Sequence, residues 1–249
     1  MCGHCGCTEA SGLRAAHAPS EGSRWLALHQ SLLGRNDAQA DRNRAHFRAR
    51  GLLSLNLLSA PGSGKTALLE QLARRWPQPP IAVIVGDLAT DNDARRLRAA
   101  GARAVQIRTG DLCHLEADLV ARALRQLDLE GVDLLVIENV GNLVCPTGFD
   151  LGEDLRLALL AVGEGEDKPL KYPALYRSAD AVVLNKIDLM AVMNFDHHQA
   201  VANLRAIAPA AALLELSARN GAGVEDLISW LQQRQRQLQQ RVGPDGRRP

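Results

Sequence analysis

The chain has 249 residues, 46% of them hydrophobic and 23% charged, enough for one large α/β domain with appendages and too few for two large independent folds. A formal charge of +1, from 29 Lys+Arg against 28 Asp+Glu, supplies no basic field for nucleic acid, and aromatics at 3% are too few for base-stacking platforms. No apolar run reaches the roughly 18 residues of a spanning helix and no signal-like segment opens the chain, so a cytoplasmic protein with neither membrane nor nucleic-acid partner is expected.

Residues 1–23 are rich in Gly, Ser and Ala without an apolar period, which predicts a flexible tail. Three of the five cysteines, Cys2, Cys5 and Cys7, fall in its first seven residues, and the others are Cys113 and Cys145. Such clustering without an export signal points to metal or redox chemistry rather than a disulfide framework. Over residues 24–50, Trp25, Leu28, Leu32 and Leu33 recur at helical spacing, followed by Ala40, Ala45 and Phe47, which predicts one or two amphipathic helices leading into the domain. From 51 to 241, apolar runs suited to buried strands occur at Leu52–Leu58, Ile81–Val85, Ala104–Ile107, Leu134–Ile137, Leu157–Val162, Ala181–Leu184 and Leu213–Leu216. Amphipathic stretches such as Ala67–Trp76, Asp93–Ala100, Leu115–Gln126 and Val224–Leu238 lie between most of them. Strand-helix alternation with strands apolar on both faces predicts an α/β fold, a mostly parallel sheet with helices on both faces. Residues 242–249 read as a frayed end. Ligands of such sheets sit beyond the carboxyl ends of the strands.

The first of those ends carries Ser59-Ala60-Pro61-Gly62-Ser63-Gly64-Lys65-Thr66, the phosphate loop G-x-x-x-x-G-K-[ST] with Ser59 for the first Gly. Gly62 and Gly64 let the loop that Pro61 opens curl round phosphates at a helix N-terminus, with the N–H groups of Gly62, Ser63 and Gly64 turned inward. Lys65 is expected to reach the β- and γ-phosphates and the Thr66 hydroxyl to ligate Mg2+, with Ser59 leaving the phosphate-binding atoms untouched. The base is indicated by Asn185-Lys186-Ile187-Asp188, an N-K-x-D run after a strand. A carboxylate at Asp188 accepts from guanine N1–H and the 2-amino group, a donor pair that adenine lacks. Asn185 supports the loop, the Lys186 stem lies along the ring, and Ser217-Ala218 resembles the second guanine loop, offering a backbone N–H to O6. Acidic groups for magnesium stand at Asp87 and at Glu138, the latter opening Glu138-Asn139-Val140-Gly141, a D-x-x-G switch with Glu for Asp, whose Gly141 amide senses the γ-phosphate. Asp91 and Asp93 are either further cation contacts or helix N-terminal carboxylates. Cys113-His114 precedes a helix and Cys145-Pro146 follows the Glu138 strand, so two thiolates and an imidazole gather at the carboxyl side, a donor set for zinc or nickel.

These runs resemble the hydrogenase nickel-incorporation GTPases, the hydrogenase maturation protein B family, over about Leu33 to Leu231 and again at the N-terminal cysteines. The resemblance rests on Asn36-Asp37 with Asn43-Arg44, the Ser-Ala-Pro-Gly-Ser-Gly-Lys-Thr loop, Cys113-His114-Leu115, Ile137 through Cys145-Pro146, and Glu164-Gly165-Glu166-Asp167-Lys168-Pro169. It implies a phosphate-loop GTPase fold that binds GTP and GDP with Mg2+, hydrolyses GTP and forms a GTP-dependent homodimer. Lys65, Thr66, Asp87 and Glu138 would serve turnover, slow because no Gln beside the switch orients water. Cys113, His114 and Cys145 would form a Ni2+ or Zn2+ site at the dimer face, with Lys168 and Lys171 as cross-subunit contacts. Cys2-Gly3-His4-Cys5-Gly6-Cys7 resembles the tight nickel site of some members. The implied partners are other nickel-insertion factors and the hydrogenase large-subunit precursor. A phosphate-loop small-molecule kinase and a metal-binding regulator with a vestigial nucleotide site are the alternatives.

Overall fold

A computed structural model describes residues 21–242 apart from 78, 88–90 and 111. Cys2, Cys5, Cys7 and the chain from 243 onward therefore lie outside the described residues. Seven strands form one sheet: β1 Leu53–Ser59, β2 Ala82–Asp87, β3 Arg103–Arg108, β4 Leu134–Glu138, β5 Leu155–Ala161, β6 Ala181–Asn185 and β7 Ala212–Leu216. Their order is β3-β2-β4-β1-β5-β6-β7 and every pairing is parallel, as the alternation of elements predicts. The strands run one or two residues beyond several of the apolar runs, so Asp87, Glu138 and Asn185 are the last residues of β2, β4 and β6.

The period-2 alternation sorts the core into two layers. Leu53, Leu55 and Leu57 of β1 pack with Leu68 and Leu72 of α2 (Lys65–Arg75), Leu97 of α3 (Asn92–Ala99) and Leu227 of α8 (Val224–Val242). On the opposite face Ile84 and Ile137 meet Phe47 of α1 (Glu21–Ala49) and Val120 of α4 (Ala117–Leu124). Farther along that face Leu58, Ala158 and Leu184 cover Tyr176 of α6 (Pro173–Arg177) and Leu204 of α7 (His197–Ile207). A four-residue helix, α5 (Lys168–Lys171), precedes α6. Each fully buried Leu contributes roughly 1.5–3 kcal/mol, so this double-sided burial is the main stabilising term. Among the described residues no helix is long and apolar enough to cross a membrane.

The lead-in segment is a single helix that starts at Glu21, so residues 21–23, read as tail, are helical. Its buried face bears out the predicted apolar series at Ala40 and Phe47 but not throughout, and the side chains of Trp25 and Leu28 lie outside the described residues. Leu32 and Ala45 are exposed, and the inward positions are Asn36, Ala40, Asn43 and Phe47. The two asparagines act as clips. Asn36 donates to Asp150 O at 2.8 Å and accepts from Ala117 N–H at 2.9 Å. Asn43 donates to Ala117 O at 2.9 Å and to Leu151 O at 3.0 Å. They satisfy one end of α4 and fasten α1 over the β4–β5 connection. Because all strands are parallel, the loops after β1, β2, β4, β5 and β6 open on one rim.

Candidate nucleotide and metal sites

At the end of β1 the chain turns through Ala60–Gly64 into α2. Gly62 and Gly64 have φ of 73° and 100°, and a Cβ on Gly64 would lie 2.5 Å from Asn185 Nδ2, so glycine is required there by conformation and by space. Lys65 opens α2, and its buried ammonium donates to Ser59 Oγ at 2.9 Å, with Ala60 O at 3.4 Å. The expectation that Ser59 leaves the phosphate-binding atoms untouched is therefore corrected. The Ser59 hydroxyl also contacts Ser63 Oγ and holds the very ammonium that phosphate must attract. Burial lowers the Lys65 pKa, with Glu138 and Glu164 opposing.

Thr66 Oγ1 donates to Glu138 Oε1 at 3.0 Å. The other oxygen, Glu138 Oε2, is buried and without a hydrogen-bond partner. Burial raises the carboxyl to about 7, against the opposing pull of Lys65 and Thr66. These groups share a cleft of about 450 Å³ with Asp87, Asp93, Arg96 and Gly141. Asp93 and Asp91 part company here. Asp93 lines the cleft and takes a 3.3 Å bond from Arg96, whereas Asp91 occupies the N-cap position of α3 and pairs with Arg95 at 2.9 Å. An orphaned carboxylate oxygen beside a hydroxyl and two further carboxylates is a hard-oxygen donor set, which fits Mg2+.

The base-side loops are tied to the phosphate loop. Asn185, fully buried, donates to Ser63 O at 2.8 Å and accepts from Lys186 N–H at 2.7 Å and Ala218 N–H at 3.0 Å. Lys186 takes φ 65°, unusual for a non-glycine, and its ammonium donates to Gly62 O at 2.7 Å. The Asp188 carboxylate is exposed at the rim and accepts from Ser217 Oγ at 2.5 Å. The Ala218 N–H predicted to meet guanine O6 is engaged by Asn185 instead, so that contact would require the carboxamide to yield or share it.

Cys113, His114 and Cys145 come together, with their donor atoms all within 4.8 Å of one another. Cys113 Sγ lies 3.6 Å from His114 Nδ1. A hydrogen bond with the Cys145 thiol, and secondarily burial, hold the Cys113 thiol above its ordinary value. Burial keeps the His114 imidazole below its usual range, and the neutral ring is the ligating form. His114 stacks on Phe149 at 3.9 Å and 26°, and its buried Nε2 lacks a hydrogen bond, Glu116 Oε1 being 3.8 Å away. Phe149 was not singled out from the sequence, although an aromatic four residues after Cys145 in so aromatic-poor a chain was a usable signal. Glu164, named from the sequence only within the run that carries the resemblance, has an Oε1 that accepts from Ala161 N–H at 3.0 Å and a carboxyl raised by burial. Lys168 and Lys171 are occupied within their own chain, near Glu164 Oε2 at 3.7 Å and on Asp167 at 2.5 Å.

Residues 54–215 match a model of the CobW/HypB/UreG nucleotide-binding domain. The chain is 51% identical over 234 residues to the hydrogenase maturation factor HypB of Azotobacter vinelandii, covering 91% of this chain and 76% of that protein. With the corresponding factor of Escherichia coli K12 the identity is 47% over 223 residues, covering 89% and 77%. The crystal structure of HypB from Helicobacter pylori in complex with nickel superposes with a TM-score of 0.77 at 40% identity, covering 82% of this chain and 96% of that one. These matches carry the maturation reading rather than the kinase or the regulator.

Proposed function

The chain belongs to the hydrogenase maturation factor HypB family of CobW/HypB/UreG nucleotide-binding proteins, and from that premise we propose that it is a GTP-switched carrier delivering nickel during hydrogenase maturation. Nickel is its cargo, taken by Cys113, His114 and Cys145, and Zn2+ competes for the same two thiolates and imidazole. GTP enters over the phosphate loop, where the N–H groups of residues 62–64, the α2 N-terminus and Lys65 face the phosphates. Asp188 selects guanine through its paired donors. Thr66 and Glu138, with Asp87 and Asp93 beside them, hold Mg2+, which when bound neutralises phosphate charge. The reaction adds water to the γ-phosphorus and expels GDP. It is slow, since no Gln stands beside Gly141 to orient the water. By resemblance the GTP state dimerises, with α5 contributing Lys168 and Lys171 to the contact. The partners are other nickel-insertion factors and the hydrogenase large-subunit precursor in the cytoplasm.

One observation carries this reading. Glu138, which touches the magnesium-ligating Thr66, and Cys145, a metal donor, lie seven residues apart on one connection, β4 to β5. A single loop thus serves both sites, so nucleotide state and metal affinity should be linked. Nickel titration with GDP and with a non-hydrolysable GTP analogue tests it. Different affinities are expected; equal affinities would remove the switch.

A further inference from the structure

We propose that Asn139 is the positioning residue that transmits nucleotide state to the metal centre. The inference deepens the reading above and rests on it. Glu138 closes β4 and Asn139 follows it directly, still bonded through its N–H to Leu57 O of β1, so their side chains leave the sheet on opposite faces. Glu138 goes to Thr66 at the head of α2. Asn139, 1% exposed, goes the other way, and its Oδ1 accepts from Leu115 N–H at 3.1 Å and from Val140 N–H at 3.0 Å. Leu115 directly follows His114, so the carboxamide grips the backbone that carries the metal-binding imidazole.

The same carboxamide has a second output. Its Nδ2 donates to Asn56 Oδ1 at 3.3 Å, and Asn56 Nδ2 donates to Glu153 Oε1 at 3.1 Å. That oxygen also accepts from Arg156 Nε at 2.7 Å, while the guanidinium donates to Thr147 O and Phe149 O, each at 3.2 Å. Thr147 and Phe149 follow Cys145, and the Phe149 ring stacks on His114. The polar circuit therefore leaves Asn139 in two directions and reaches both metal-bearing loops. Asn56 is fully buried and Glu153 only 8% exposed, so neither can exchange its partner for water. Groups so enclosed move with their partners or leave costly unpaired atoms, and a satisfied buried network adopts discrete arrangements. A shift of the β4 terminus drawn by Glu138 then repositions His114 through Leu115, and Cys145's loop through Arg156. None of these polar residues touches the metal donors, so their role is positional.

The test is the ratio of Co2+ affinities of the full chain with a non-hydrolysable GTP analogue and with GDP. In the wild type this ratio should depart from unity by at least about fivefold, the low end of ordinary coupling. In Asn139→Ala it should fall to within about twofold of unity, with GDP affinity and the thiolate-to-cobalt absorption band retained. Asn56→Ala, which leaves Leu115 and Asn139 in place, should lower the ratio in the same direction and serves if Asn139→Ala does not fold. A wild-type ratio of one overturns both this inference and the switch it rests on. Wild-type coupling that survives unchanged in either folded variant overturns the Asn139 relay alone.

Discussion

Two carboxylates show how burial and exposure divide the labour at residue scale. Glu138 is buried with one oxygen unpaired, and its carboxyl is raised from 4.5 to about 7. The native chain thus keeps a proton that the unfolded chain has lost between these values. The stability contributed is full below about pH 4.5 and is lost as pH rises through about 7. Without metal or nucleotide, Glu138→Gln should melt higher than wild type at pH 8 and about equally at pH 5. Calorimetry at both values checks the sign, and a gain of equal size at pH 5 would exclude the titration. With Mg2+ and GDP present the variant should lose its advantage, because the amide no longer supplies an anionic ligand. Asp188, in contrast, sits exposed at the rim, held by Ser217. Asp188→Asn should weaken GTP at least about a hundredfold and favour xanthosine triphosphate, whose 2-oxo group seeks a donor. Competition binding measures this, and wild type that binds ATP as well as GTP would defeat the guanine assignment.

At the scale of elements, α1 is held by polar clips at Asn36 and Asn43 as well as by the apolar contacts of Ala40 and Phe47. Asn43→Ala would remove two buried hydrogen bonds, to Ala117 O and Leu151 O, at about 1–3 kcal/mol together. Urea unfolding should show that loss as a lower midpoint with unchanged slope, while exposed Asp37→Ala should stay within about 0.5 kcal/mol of wild type. Gly152 matters to the same contact: at φ 92°, a Cβ would meet Ala40 O at 2.5 Å, so no larger residue fits under α1. This arrangement was hard to read from sequence, because Asn36 and Asn43 share a helix face while their partners lie 74 to 114 residues away. The sheet was legible because its strands are apolar on both faces. Their ends were not, since Asp87, Glu138 and Asn185 close strands with polar side chains that end an apolar run early. Helices α5 and α6 were missed for another reason: four and five residues give no period to detect. Likewise, Asn56 and Asn139 were visible as polar residues in apolar surroundings, but a linear reading cannot pair positions 83 apart.

For the whole molecule, the same charge arithmetic that leaves no field for nucleic acid bears on how two copies would meet. The net charge is +1, so two chains neither repel nor steer one another strongly. Lys168 and Lys171, read as cross-subunit contacts, are already matched by Glu164 and Asp167 on their own chain. They can reach a partner only by exchanging one carboxylate for another, a nearly neutral trade. Attraction between exposed charges would therefore supply little of the proposed dimer, leaving most of it to the GTP-bound loops. The expected outcome in sedimentation velocity is monomer with GDP and dimer with a GTP analogue. The dimer constant should change by less than about threefold between roughly 50 and 300 mM NaCl, over which the Debye length shrinks by more than half. A chain that stays monomeric with the analogue and nickel would remove the dimer. A dimer that dissolves steeply with salt would keep it, but return Lys168 and Lys171 to the centre of the contact.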